Sequence, residues 1–150
     1  MSRSGYNECD GWSLIKWRGQ VASAIKGKRG QAFLRELVAA LDALPEKRLA
    51  ANSFQVASGE VCALGSVGRA RDALMSDLEP DEDGEVDRDK VADRFGIAMA
   101  MAAEIMWVND ERPYYCRDET PEDRWTRVRK WAVEQIRVTP EEAGAVEIPD

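Results

Sequence analysis

Between Phe33 and Pro45 the chain sets Phe33, Leu34, Leu37, Val38, Leu41 and Leu44 at three- and four-residue intervals. That spacing lines one face of a 3.6-residue helix and neither face of a strand, so the stretch must be helical and must bury that face. Pro45 ends it, because proline supplies no amide and pushes the residue before it into extended backbone. A second periodic run comes first: Trp12, Ile15 (with Leu14), Ala22 and Ile25 recur at helical spacing, and Trp17 and Val21 widen the stripe. It predicts a helix opening at Asp10, whose carboxylate caps the amides of Gly11 to Leu14, and closing at Gly27. The short basic connection Gly27-Lys28-Arg29-Gly30 then folds the two helices into an antiparallel hairpin.

The second half reads the same way. Val91, Phe95, Ala98, Ala102, Ile105 and Met106, with Met99, Met101 and Trp107 on other sides, predict a central helix from Asp89 through Val108 that is apolar almost all round. Asn109-Asp110 ends it, and Pro113 to Cys116 forms a loop. Thr120-Pro121-Glu122-Asp123 places a hydroxyl at the cap, proline at the first helical position and acids in the first turn, which starts a helix running to about Arg137. Trp125, Val128, Ala132 and Ile136 share one face of that helix, and Arg124, Arg127, Arg129 and Lys130 line much of the rest. Residues 48–71 are the least periodic. Ser58-Gly59 marks a turn, and Val61-Cys62-Ala63-Leu64 reads as a short buried strand or a helical turn before a short helix to Leu74. The expected fold is mainly α, a compact bundle of four to five helices with a small β-hairpin around residues 48–64 as its one optional strand element. Residues 1–138 form a single domain containing an acidic loop at 76–89, and 139–150 form a flexible acidic tail.

Composition narrows function more than it names one. The chain has no histidine, which removes the commonest general base and the commonest metal ligand together. Its three cysteines, Cys9, Cys62 and Cys116, are odd in number and widely spaced, so neither a disulfide framework nor a zinc site is expected. Neither an apolar run of roughly 20 residues nor a signal-peptide pattern occurs, and the expected location is the cytoplasm. Charge is split: residues 1–75 carry 11 Lys and Arg against 7 Asp and Glu, and residues 76–150 carry 10 against 21. Direct binding to nucleic acid or to an anionic membrane by the whole surface is therefore disfavoured.

Three groups of residues stand out. Asp77, Glu79, Asp81, Glu82, Asp83, Glu85 and Asp87 concentrate negative charge in one loop that could meet a cationic surface on another protein. Counting Glu79 as position one gives a partial calcium-loop register, but Lys90 stands where the bidentate glutamate belongs, so no metal is expected. Lys26, Lys28 and Arg29, flanked by glycines, could meet an anion or a partner, although no Walker pattern is present. Cys62, Arg69, Asn109 and Asp110 are candidates for a small-molecule or nucleotide pocket. Cys62 itself reads as an inert buried thiol, since no imidazole exists to activate it. Trp17, Trp107 and Trp131 could lie off the core-facing stripes and form an interface or a homodimer seam. No catalytic residue and no cofactor is expected.

The segments Trp12 to Gly19, Gly27 to Leu34 and Ala40 to Pro45 resemble small uncharacterised proteins encoded by temperate phages and prophages of proteobacteria. A weaker likeness runs through Gly59-Glu60-Val61-Cys62-Ala63-Leu64-Gly65, Trp107-Val108-Asn109-Asp110 and Thr120 to Asp123. That pattern is similar to a bacterial domain family of unknown function with CALG and aromatic-Asn-Asp segments. Neither resemblance implies an activity. The first implies a setting in which small acidic proteins block host machinery, so the expected function is non-enzymatic inhibition of a bacterial defence complex, of the anti-CRISPR or anti-restriction type, by steric and electrostatic blockade. A small-molecule or nucleotide-binding domain is the second expectation. The third is a DNA-binding phage regulator using the arginines of the last helix with Lys26, Lys28 and Arg29.

Overall fold

The computed structural model describes residues 3–5, 11–111 and 118–138, and for 11–14 the backbone alone. The Asp10 cap, the Trp12 and Leu14 side chains, Cys9, Cys116, the loop 113–116 and the tail 139–150 lie outside the described residues. Among the described residues six helices follow one another: α1 (Gly11–Lys26), α2 (Lys28–Ala43), α3 (Ala63–Ala70), α4 (Arg88–Phe95), α5 (Met99–Asp110) and α6 (Pro121–Gln135). A single turn of 3-10 helix covers Ser76–Leu78. The architecture is mainly helical, as expected. None of the described helices is long and apolar enough to cross a membrane.

Helix α2 buries the face its spacing dictates, with Phe33, Leu34, Leu37, Ala40 and Leu41 inside. Each such leucine contributes roughly 1.5–3 kcal/mol on leaving water. Leu44 adopts extended backbone (φ −62°, ψ 133°), the conformation that the following proline demands. Helix α2 lies between α3 and α6, and α5 packs on α1, α3 and α4. From Ala100 to Met106 every residue of α5 is buried, so α5 is the core helix. Its alanines at 100, 102 and 103 keep the surface thin, which lets three neighbours approach.

Several expectations change. The α1 seam is Val21 and Ile25 with Trp17 and Ala24 packed partly against it, whereas Ile15 is 64% exposed and Ala22 also faces out. The residues read as widening the stripe are thus its centre, because the helix is rotated to bring Trp17, Val21 and Ala24 onto α2 and α5. The connection between α1 and α2 is Gly27 alone, and Lys28 to Gly30 already form the first turn of α2. Gly30 permits this, since a Cβ there would sit 2.0 Å from the Ala24 carbonyl oxygen.

The single helix expected over Asp89 to Val108 is two. Gly96 takes a left-handed conformation (φ +70°), Ile97 N–H bonds back to the Ala92 carbonyl at 3.1 Å, and the chain turns a corner before α5. The optional hairpin reduces to one antiparallel bridge between Gln55 and Val61, closed by a reversal in which Gly59 has φ +95°. Beyond it Cys62 caps α3, which ends at Ala70 and not at Leu74. The strand pair stops short because α3 packs its backbone directly on the loop: a Cβ at Gly65 would lie 2.1 Å from the Phe54 carbonyl oxygen.

That close approach separates two glycines of one helix. A Cβ at Gly65 meets backbone, whereas at Gly68 it meets the tip of the Met75 side chain at 2.2 Å. Urea unfolding should show Gly65→Ala losing about 1–3 kcal/mol or more, and Gly68→Ala losing clearly less because methionine can repack. Equal losses would rule out the backbone contact.

Candidate functional site

Helix α5 ends in two polar residues that its own burial keeps from water. Asn109 is fully buried, and its Oδ1 accepts from the Ala63 amide at 2.9 Å while its Nδ2 donates to the Ala50 carbonyl at 2.9 Å. One side chain thus pins α5 to the start of α3 and to the loop after α2. The same Nδ2 donates to Asp110 Oδ1 at 2.9 Å, and the Asn52 amide donates to that oxygen at 2.9 Å. Asn52 reaches it from a left-handed conformation (φ +61°), which asparagine tolerates better than most residues.

The Asp110 side chain is only 3% exposed, and a buried carboxylate needs a cation. Arg3 supplies it. Its Nε donates to Oδ2 and its Nη2 to Oδ1, both at 2.7 Å, and Nη1 points at the Cys62 sulfur 3.6 Å away. The guanidinium lies over the Phe54 ring, 4.9 Å from its centroid, and Arg3 is 1% exposed. Burial alone would pull its pKa down; the Cys62 sulfur and the hydrogen bond and charge of Asp110 outweigh that and lift it above the ordinary arginine value. Cys62 Sγ also accepts from the Gly65 amide at 3.3 Å and so caps α3.

Of the expected pocket, then, Cys62, Asn109 and Asp110 meet, and the space between them holds the Arg3 side chain. Arg69 does not join them. It is exposed about 10 Å further along α3 by helical rise, beside a separate cleft of about 400 Å³ that Pro45, Arg48 and Glu60 also line. Arg3 was not anticipated; the one available signal was the acid placed at the negative end of a helix otherwise apolar all round.

The arginines of α6 are paired within the chain, Arg124 and Arg127 at largely buried positions and Arg129 at the surface. Arg127 donates to Glu119 at 2.6 and 3.0 Å and to the Val108 carbonyl at 2.6 Å, so it neutralises the end of α5. Arg124 is buried and donates to the Leu49 carbonyl at 2.9 Å. Arg129 holds Asp42 at 2.7 and 3.0 Å. Lys26, Lys28 and Arg29 remain exposed at the corner between α1 and α2.

In the acidic loop, four of the seven candidate acids have structural work. Asp77 pairs with Arg94 at 2.6 and 2.9 Å and with Lys90 at 3.2 Å. Glu79 accepts from the Ser53 hydroxyl and the Phe54 amide. Asp81 Oδ1 accepts from the amides of Asp83 and Glu85 at 2.9 and 3.0 Å, around Gly84 at φ +77°. Asp87 caps α4 through the Lys90 amide. Leu78 and Val86 are buried at either end, so the segment expected to be solvated throughout is pinned to the core. Glu82, Asp83 and Glu85 are exposed, and no ion pair reaches them among the described residues. No three Cys, Asp or Glu side chains converge as a metal site among the described residues. Of the tryptophans, Trp107 is 39% exposed, while Trp17, Trp125 and Trp131 pack partly on the core.

Arg94, with help from Lys90, holds the Asp77 carboxyl well below the usual carboxylate range. A depressed folded-state pKa stabilises the fold above the unfolded value near 3.8, and that stabilisation is lost as pH falls toward the folded value. The difference in urea midpoint between wild type and Asp77→Asn should therefore be constant above about pH 5 and shrink below about pH 4. A difference independent of pH would show that the pair contributes nothing.

Comparison with protein-family models, with curated proteins and with solved structures finds no match to this chain.

Proposed function

We propose that this chain acts by binding, not catalysis, and that the turn 82–85 is its contact with a cationic surface of another protein. One observation carries the reading: Glu82, Asp83 and Glu85 project from a turn that Asp81 closes and Leu78 and Val86 anchor, with no cation of the described residues to neutralise them. A preorganised cluster of like charge loses little entropy on docking and speeds encounter with an opposite field. The resemblance to phage-encoded proteins suggests the partner class, a host defence nuclease or nucleic-acid-binding complex. Its substrate groove would be cationic, and the carboxylates would occupy it in place of phosphates.

The pairing of Arg124, Arg127 and Arg129 with groups of the chain itself supports a protein partner over DNA. Arg3 fills the space beside Asp110, which weighs against a small-molecule pocket at that position. Asp77, Glu79, Asp81 and Asp87 maintain the loop, so they are poor choices for a charge-reversal test.

The informative variant is Glu82→Lys, Asp83→Lys, Glu85→Lys combined. It should keep the wild-type melting temperature within a few degrees, lose inhibition of the target nuclease, and lose capture of that target from host lysate. Wild-type capture should weaken steeply with salt. Undiminished capture by the triple variant would eliminate this turn as the contact.

A further inference from the structure

We propose that Asp110, Phe54 and Cys62 form a receptor for an arginine side chain, which Arg3 fills from within the chain and which an arginine of another protein can fill in its place. This does not depend on the acidic turn being a contact.

The geometry matches a guanidinium on three sides. The two carboxylate oxygens of Asp110 meet Nε and Nη2 side by side at 2.7 Å each, the fork-to-fork arrangement that a lysine ammonium cannot reproduce. The remaining Nη1 faces the Cys62 sulfur at 3.6 Å. The Phe54 ring covers one face of the plane at 4.9 Å.

The receptor groups have bonds of their own besides those to Arg3. Asp110 is oriented by the Asn52 amide and the Asn109 side chain. Asn109 is fixed in turn by Ala63 and Ala50. The backbone at Phe54 is tied to Glu79, and the Cys62 sulfur to the Gly65 amide. Every wall therefore belongs to the loop 50–55, the start of α3 or the end of α5, each with bonds of its own. Arg3 is the one component from outside that set, 107 positions from Asp110. A carboxylate buried at the negative end of a helix, with that frame in place, selects a cation, and its shape selects a planar one.

The occupant in the chain competes with any other arginine at the high effective concentration of a tethered group. An arginine from a partner must therefore arrive with further contacts, or find the amino-terminal segment displaced.

The test uses the full chain with Arg3→Ala and two probes, N-acetylarginine methylamide and N-acetyllysine methylamide. At about tenfold over its dissociation constant, the arginine probe should raise the melting temperature of Arg3→Ala by about 3–5 °C. The lysine probe should bind at least about tenfold more weakly. Neither wild type nor the Arg3→Ala, Asp110→Asn double variant should respond. If Arg3→Ala does not fold, Arg3→Lys serves, with the side-chain amide resonances of Asn109 as readout; they should shift with the arginine probe alone. Equal response to both probes, response persisting in the Asp110 variant, or no response in any folded Arg3 variant would overturn the assignment.

Discussion

Helix α5 is surrounded, and its C-terminal end has to be satisfied without water. Its last two side chains, Asn109 and Asp110, are buried at a place where the helix dipole already accumulates negative charge. The rest of the molecule answers that requirement. Arg127 reaches from α6 to the Val108 carbonyl, Asn109 bonds to α3 and to the loop after α2, and Arg3 arrives to balance Asp110. The irregular stretch 49–55 has its shape because its amides and carbonyls are partners in this arrangement: Ala50 accepts from Asn109, Asn52 donates to Asp110, and Leu49 accepts from Arg124. This stretch of weak sequence periodicity is thus fixed by polar bonds more than by propensity.

The acidic loop shows the same economy in reverse. Charge of one sign at high density favours extension and disorder, yet Leu78 and Val86 enter the core and the carboxylates of Glu79 and Asp81 are hydrogen-bonded to backbone amides. A carboxylate that accepts amide bonds is partly neutralised in its local field and organises the chain around it. What projects beyond that framework is a short group of three acids, a much smaller and more definite feature than the sequence run suggested.

How much of this was readable depended on whether the signal was local. The α2 stripe and the Thr120-Pro121 helix start are legible because each is complete within one or two turns, and the structure adds that Asp123 closes that start as a capping box with both reciprocal bonds. The corner at Gly96 was missed because Ala98, Ala102 and Ile105 continue a plausible helical pattern across it, and one glycine inside a helix is tolerable in sequence terms. The rotation of α1 was misjudged because Ile15 and Ala22 are apolar enough to pass as core, and only packing against α2 and α5 decides the phase. Asn109 and Asp110 were noticed as a helix end. Arg3 has no periodicity to mark it, and Cys62 and Arg69, close in sequence, sit at opposite ends of α3.

The span from Arg3 to Asp110 has a consequence for how the chain comes together. The α1–α2 pair needs only neighbouring sequence, so it can close while the remainder is still being made. The bonds around Asp110 draw instead on residues 107 positions apart, and an emerging polypeptide holds Arg3 without its counter-ion until α5 has left the ribosome. Until then the loop 50–55 lacks the Asn109 and Asp110 side chains that hold Ala50 and Asn52, and keeps its bonds to Val61, Cys62 and Glu79.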